Sequence, residues 1–524
     1  MDKEIGSVMN EPRQHNPGGW LPKVNITFDD KKSMLILLML YIVQGIPLGL
    51  SSTVPLIIYD RVSYLEMAYF AITAIPFCLK LLWAPIVESL YFPRFGKRKT
   101  WIIPSQLICG VLLIYGGAHG RLDRWVGEED DVVHIFALCS YFTFLCFLMA
   151  TQDIAVDGWA LSKLRPEMRM YASSCNTAGQ SIGINIAFVG FTVLSSQRIC
   201  AYMYTFWIWL SGFFLDHSDI SDGFVITIEP FATLSDLTLA FGVFTLVCTL
   251  PVFFQEEQEE YPILVELPNV VDMGPRVAPE KIRFSAKLVR KSYATVMEIM
   301  KKKPARLLSF VLVTFGLFFL AERPADLKLL EKGLSRDLFA ALTPLMIPLE
   351  IFGPAVITMT MHKLSTADVL YRGMCLRLLS VLIYTVLIIT TGIYYSEDDR
   401  SLLATALFYT FFLTVSLFRR FCGLILSVAF MSLFAQVSDP TIGGTYMTLL
   451  NTLYNFGEVF PNMLGLLLID LLSHPMLSAI DALYTEVFIS VLCGLLLLPQ
   501  YNTLLNQIIS FEAEEWYVRR QELE

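Results

Sequence analysis

The sequence predicts an all-α membrane protein with about twelve transmembrane helices in two six-helix bundles and both termini cytosolic. Composition is the first observation behind this. Of 524 residues, 55% are hydrophobic and only 17% charged, with a mean hydropathy of +0.57. A soluble chain of this length carries far more charge. The second is recurrence: stretches near the ~20 apolar residues that cross a bilayer lie at 34–55, 66–92, 101–119, 133–160, 171–194, 233–254, 306–321, 338–361, 374–394, 402–434, 442–471 and 484–504. The third is the alternation of loop charge. Basic residues follow the second span (Arg94, Lys97, Arg98, Lys99), the fourth (Lys163, Arg165, Arg169) and the sixth (Lys301 to Lys303), whereas alternate loops are acidic or mixed. Lysine and arginine mark the cytosolic side.

In chain order, residues 1–33 form a polar tail without the apolar core of a signal peptide, so the first span is expected to act as the insertion signal. The sequon Asn25-Ile-Thr27 then faces the cytosol and is expected to stay unused. A first bundle is expected over 34–254, a central loop over 255–305, a second bundle over 306–504 and a tail over 505–524. Ala201 to Leu215 is apolar but short for a span, and reads as an interfacial or helix-extending segment on the non-cytosolic side. In the central loop, basic residues interleave with apolar ones from Lys281 to Lys291 at helical spacing, which predicts a surface-lying helix. The ten cysteines mostly fall inside apolar stretches without CxxC pairing and read as buried free thiols, with no metal site.

A short internal repeat supports the duplication. Tyr171-x4-Asn176-Thr177 opens the fifth span and Tyr446-x4-Asn451-Thr452 the eleventh, equivalent ordinals in two six-helix halves. In duplicated carriers the binding site lies near the midplane between repeats.

Charged groups within spans are the strongest pointers to function, because the bilayer tolerates them only when they are paired or face a cavity. Lys80 lies mid-way along the second span, and reads either as a cation facing an anionic substrate or as the partner of a fourth-span aspartate. Asp153 and Asp157 are four residues apart and share one helix face. They read as gate residues paired with Lys97, Arg98 and Lys99, as proton-coupling groups, or as substrate-orienting groups; gating is favoured, with Glu88 alongside. Arg419 and Arg420 interrupt the tenth span. Neighbours on a helix point about 100° apart, so either one reaches a phosphate while the other pairs with Glu350 or Glu458, or both belong to a salt-bridge network that ties helices together. Arginine suits phosphate because its planar fork donates two parallel hydrogen bonds. Arg377 opens the ninth span, where snorkelling and ligand binding explain it equally. Gln44, Gln152, Asn176, Gln180, Asn185, Asn451 and Asn455 either touch a ligand or hold helices together. Tyr446 joins the binding candidates through the repeat, and Trp159 through its capacity to stack on a purine.

Several motifs resemble the acetyl-coenzyme A transporter family of the major facilitator superfamily: Gln44-Gly-Ile-Pro-Leu-Gly-Leu50, Leu79 to Pro85, Phe95 to Trp101, Ala150 to Leu161, Tyr171 to Asn176, Thr233 to Asp236 and Ser438 to Thr452. The resemblance implies a carrier in the endoplasmic-reticulum membrane that moves acetyl-CoA from cytosol to lumen, with CoA as a further candidate ligand and the lipid bilayer as its surroundings. The segment 197–230, Glu322-Arg-Pro-Ala-Asp326, Glu458 and Arg419-Arg420 depart from the family pattern. A muropeptide-permease-like carrier of another large anion is the nearest alternative. A membrane-bound acyltransferase fits less well, since the six histidines fall in tails, loops or span ends. No cofactor and no nucleic-acid partner are expected, and a homo-oligomer is left open.

Overall fold

The structure is a computed structural model. It describes residues 27–92, 94–128, 132–164, 170–212, 230–255, 257, 286–335, 338, 342–361, 364–397, 401–438, 443–473 and 481–518. Arg165, Arg169, 258–285 of the central loop and 213–229 of the insertion lie outside the described residues.

Among the described residues, eleven helices are long and apolar enough to cross a membrane. Together with one shorter helix they are α1 Phe28–Ile58, α2 Tyr64–Leu82, α3 Lys99–Trp125, α4 Ile135–Lys163, α5 Met170–Leu194, α6 Leu234–Phe253, α7 Lys303–Glu331, α8 Ile347–Met361, α9 Thr366–Ser396, α10 Leu402–Val437, α11 Gly443–Leu472 and α12 Ala482–Ser510. The shorter one, α8, follows a tight turn at Thr343–Met346. Local chemistry starts these helices. Thr27, Ser63 and Thr233 each form a capping box with the acid three residues on (Asp30, Glu66, Asp236), satisfying amide donors that the first turn otherwise leaves open. Prolines interrupt them. The 3₁₀ turns Ile72–Ala74 and Lys80–Leu82 lie just before Pro76 and Pro85, whose rings clash with the carbonyl four residues back. Lys80 therefore sits on a tightened turn of α2.

Helix pairing repeats between the two sets of six. In the first, α1 packs along α5, α2 against α4 and α3 along α6; in the second, α7 packs along α11, α8 against α10 and α9 along α12. Two seams join the sets, α2 against α11 and α5 against α8. Glycines permit the closest of these approaches. A methyl group on Gly45 would overlap the Gln180 carbonyl, and one on Gly183 the Ile42 carbonyl; in the second set Gly316 meets the Gly457 carbonyl and Gly457 that of Leu312. Small residues let backbones approach where lipid provides no hydrophobic drive. Gly457→Ala is expected to push α11 off α7 and to lower stability by about 1–3 kcal/mol, read as an earlier thermal transition in detergent; an unchanged transition would mean that this seam yields freely.

Several boundaries differ from those expected. The seventh helix continues to Glu331, so Glu322 and Asp326 lie within it rather than at its end. The ninth begins at Thr366, where Ser365 accepts the Asp368 amide, about three turns before Arg377. The apolar insertion forms a separate helix, Gln197–Gly212, that packs on the end of α5 with Tyr202, Phe206 and Trp207 exposed. In the central loop, the helix Ala286–Lys301 docks on protein, against Ala84–Ser89, α11 and the start of α7, and buries Thr295 and Ile299.

Candidate functional site: buried ion-pair networks along the central helices

In the first set, α4 presents a ladder of acids to α1, α2 and α5. Lys80 Nζ lies 2.6 Å from Asp153 Oδ2. Gln44 donates to Asp153 Oδ1 at 2.8 Å, and Gln180 to the same oxygen at 3.5 Å. One turn along, the Tyr41 hydroxyl donates to Asp157 Oδ1 at 2.7 Å and the Asn176 amide at 3.0 Å. Lys80, Asp153 and Gln44 are essentially inaccessible, at 3%, 2% and 0% exposure. The Lys80 charge is met here by Asp153, the ion-pair arrangement that the sequence offers beside contact with an anionic substrate. Gln152 also meets α1, donating to the Leu40 carbonyl at 3.0 Å and tying α4 to it.

The second set holds three arginine clusters. Arg377 grips Glu322 with two parallel hydrogen bonds, Nε to Oε1 at 3.1 Å and Nη2 to Oε2 at 3.0 Å. It also donates to Glu458 at 3.1 Å, while the Phe319 ring lies 3.8 Å from its guanidinium carbon. Buried and doubly paired well inside α9, Arg377 does not snorkel, which corrects the reading that placed it at a span's start. Arg419 donates to Asp326 Oδ1 at 2.7 Å, the Tyr384 hydroxyl donates to the same oxygen at 2.7 Å, and the Tyr384 ring lies 4.1 Å from the arginine carbon. Arg420 donates to Glu350 Oε1 through Nε at 2.6 Å and also through Nη2.

Exposure separates these cations. The side chains of Lys80, Arg377 and Arg419 are 4%, 8% and 22% exposed, whereas Arg420 is 55% exposed. Its partner Glu350 is only 8% exposed, and on its other oxygen accepts a 3.0 Å hydrogen bond from Asn185 of α5. Arg420, Glu350 and Asn185 thus form a chain across the α5–α8 seam, with a half-open guanidinium at one end.

The remaining candidates fall outside these clusters. Arg98 and Lys99 engage the start of the central loop: Glu257 accepts the Arg98 amide at 2.6 Å and the Lys99 amide at 3.3 Å, and Lys99 Nζ donates to the Gln255 carbonyl at 2.7 Å. The Arg98 guanidinium lies against Gly158, next in sequence to Asp157, while Asp153 and Asp157 take their bonds from Lys80, Gln44, Gln180, Tyr41 and Asn176. Trp159 is 2% exposed, with the Lys163 ammonium 4.7 Å over its ring, and offers no open face for a purine. Tyr446 is fully buried, its hydroxyl donating to the Trp516 carbonyl at 3.4 Å in the C-terminal segment. Asn451 and Asn455 are half-buried on α11; the Asn455 carbonyl accepts the Cys78 thiol across the α2–α11 seam at 3.4 Å. Glu88 stands half-buried where Pro85, Val296 and Thr445 meet.

Sequence reasoning missed Tyr41 and Tyr384. A signal was present: Tyr41 is one turn from Gln44 on α1, and Tyr384 lies two turns beyond Arg377 on α9, so each shares a face with a residue singled out for its polarity.

Paired helices repeated in two sets, with charged residues paired inside each set and one polar chain crossing the α5–α8 seam, are the architecture of a membrane transporter of the major facilitator type. Solved transporters agree. A bacterial homologue of the human lysosomal transporter Spinster, inward-facing and unoccupied, superposes with a TM-score of 0.53 at 13% identity, covering 94% of this chain and 99% of that one. A D-xylose–proton symporter gives 0.54 at 12% identity over 89% and 97%. At such identities the likeness concerns the fold alone. The family comes from sequence: residues 33–491 match the model described as acetyl-coenzyme A transporter 1, and the chain belongs to that family. An uncharacterized Schizosaccharomyces pombe protein is 29% identical over 472 residues, 90% of this chain and 80% of its own length. The Escherichia coli anhydromuropeptide permease is 26% identical over 159 residues, 29% of each chain.

Proposed function

We propose that this protein carries acetyl-CoA from the cytosol into the endoplasmic-reticulum lumen by alternating access, with both termini cytosolic and twelve spans, α8 being the eighth. Residues 34–254 and 306–504 rock about the α2–α11 and α5–α8 seams, and CoA is a second candidate cargo. The half-exposed Arg420, held by Glu350 on the seam, is the observation that supports this reading best. A phosphate offers a guanidinium the same bidentate geometry as a carboxylate, so an arriving phosphate competes with Glu350 for Arg420. The displaced Glu350 keeps Asn185 as its partner across the α5–α8 seam, so substrate binding loosens the α8–α10 contact while that seam bond remains.

Uptake of labelled acetyl-CoA into proteoliposomes tests the reading. Wild-type protein is expected to exceed empty vesicles. Arg420→Gln removes a charge-assisted bond worth about 1.5–3 kcal/mol and is expected to raise the apparent KM about tenfold or more. Folded protein without uptake would overturn the substrate; an unchanged KM in Arg420→Gln would remove Arg420 from the site. The partial match to the anhydromuropeptide permease favours a second reading, a carrier of another large organic anion. Under it, a muropeptide competes with labelled ligand and CoA does not.

A further inference from the structure

We infer that Glu486 is a proton-binding site beneath the closure at the end of the helices remote from the N-terminus. It takes up one proton when that end shuts and releases it when that end opens. The inference deepens the carrier reading by adding a coupling ion; the proton site itself rests on geometry that no substrate enters.

Glu486 lies early in α12 and is 0% exposed, with neither carboxyl oxygen hydrogen-bonded to any group among the described residues. The other acids of the helix interior are treated differently. Asp153 has Lys80, Glu322 and Glu458 share Arg377, Asp326 has Arg419, Glu350 has Arg420, and Asp157 accepts from Tyr41 and Asn176. A carboxylate closed in without counter-ion or donor is strongly disfavoured and takes up a proton instead. Gly465 of α11 packs closely on this carboxyl: a Cβ there would stand 2.6 Å from Glu486 Oε1 and would overlap the Leu320 carbonyl of α7.

The elements around α12 are α7, α9 and α11. From α7, Lys328 bridges Glu331 at 3.0 Å and Asp481 at 3.1 Å, while Glu322 and Asp326 belong to the arginines. From α9, Arg377 and Tyr384 are committed to those acids, and Tyr454 and Glu458 of α11 join the Arg377 cluster. Asp470 of α11 lies nearer its end, and Tyr484 of α12 nearer Asp481. From α2, Tyr64 donates to Glu331 at 2.6 Å.

Glu486 thus follows, along α12, a cluster that is partly exposed. Glu331 and Asp481 are 39% and 28% exposed at the side chain, and Asp481 is five residues, about 7.5 Å of helix rise, from Glu486. The Tyr64–Glu331 bond joins the first set of helices to the second. When it parts, water reaches the carboxyl, which ionises to a carboxylate and gives its proton to water. Closure expels the water, and the carboxylate must regain a proton before Gly465 and Leu320 close over it.

Two measurements on the full-length protein test this. In purified protein, dicyclohexylcarbodiimide, which attacks protonated carboxyls in apolar surroundings, is expected to label Glu486 by peptide mapping. The infrared carbonyl band of a protonated acid is expected to shrink in Glu486→Gln. No adduct on wild-type Glu486 together with an unchanged band would overturn the proton site, and the labelling arm needs no variant to fold. In proteoliposomes, wild-type acetyl-CoA uptake is expected to change with an imposed proton gradient and Glu486→Gln uptake to ignore it; a variant that follows the gradient as wild type does would overturn the coupling. If neither protein moves acetyl-CoA, the substrate reading fails while the labelling and infrared results still decide the site.

Discussion

Lys80→Met is expected to lower stability by about 3–5 kcal/mol, and Lys80→Met combined with Asp153→Leu to recover most of that loss. The asymmetry follows from burial. Lys80 and Asp153 meet at 2.6 Å with almost no exposure, so removing the ammonium strands a carboxylate that only the Gln44 and Gln180 amides still serve. Removing both partners strands no charge, and the amides lose only an acceptor. Chemical denaturation in detergent followed by tryptophan fluorescence reads both variants. A single variant as stable as wild type would show that the pair is open to water, and would return Lys80 to the substrate candidates.

Arg377→Met is expected to be at least as damaging, about 3–5 kcal/mol, because one side chain neutralises two carboxylates. Glu322 and Glu458 both depend on it, and without the guanidinium they face each other unscreened. Arg377→Lys restores the charge but not the fork, since an ammonium cannot hold Glu322 through two parallel bonds while reaching Glu458. The lysine variant is expected to fall between wild type and Arg377→Met, and Arg377→Met with Glu322→Gln and Glu458→Gln to regain stability over the single change. A lysine variant equal to wild type would reduce the site to simple charge balance.

The same clusters show how far the sequence can be read. Asp153 and Asp157, four apart, do share one face of α4, and the structure meets them with Tyr41 and Gln44, three apart on α1. Periodicity is a property of one helix and is visible in one stretch of chain. Partner choice is a property of two. Pairing of the aspartates with Lys97 to Lys99 is the expectation the sequence favours; in the structure Asp153 takes the ammonium of Lys80 on α2, and the Arg98 guanidinium lies against Gly158, beside Asp157. Likewise one of the tenth-span arginines was expected to pair with Glu350 or Glu458; Arg420 takes Glu350, while Glu458 goes to Arg377.

By itself, the sequence determined that this is a polytopic helical membrane protein, which family it resembles and which residues are out of place in a bilayer. Each of these is local: hydropathy over about 20 residues, a motif, or a charge inside an apolar run. Only the tertiary structure decided which charge answers which, because intramembrane ions must be paired but any acid within reach of a neighbouring helix will serve. Helix adjacency, set by glycine seams such as Gly45–Gly183 and Gly316–Gly457, selected among them. It paired Lys80 with Asp153 and Arg377 with Glu322 and Glu458, left Arg420 half open, and, among the described residues, left Glu486 without a hydrogen-bond partner.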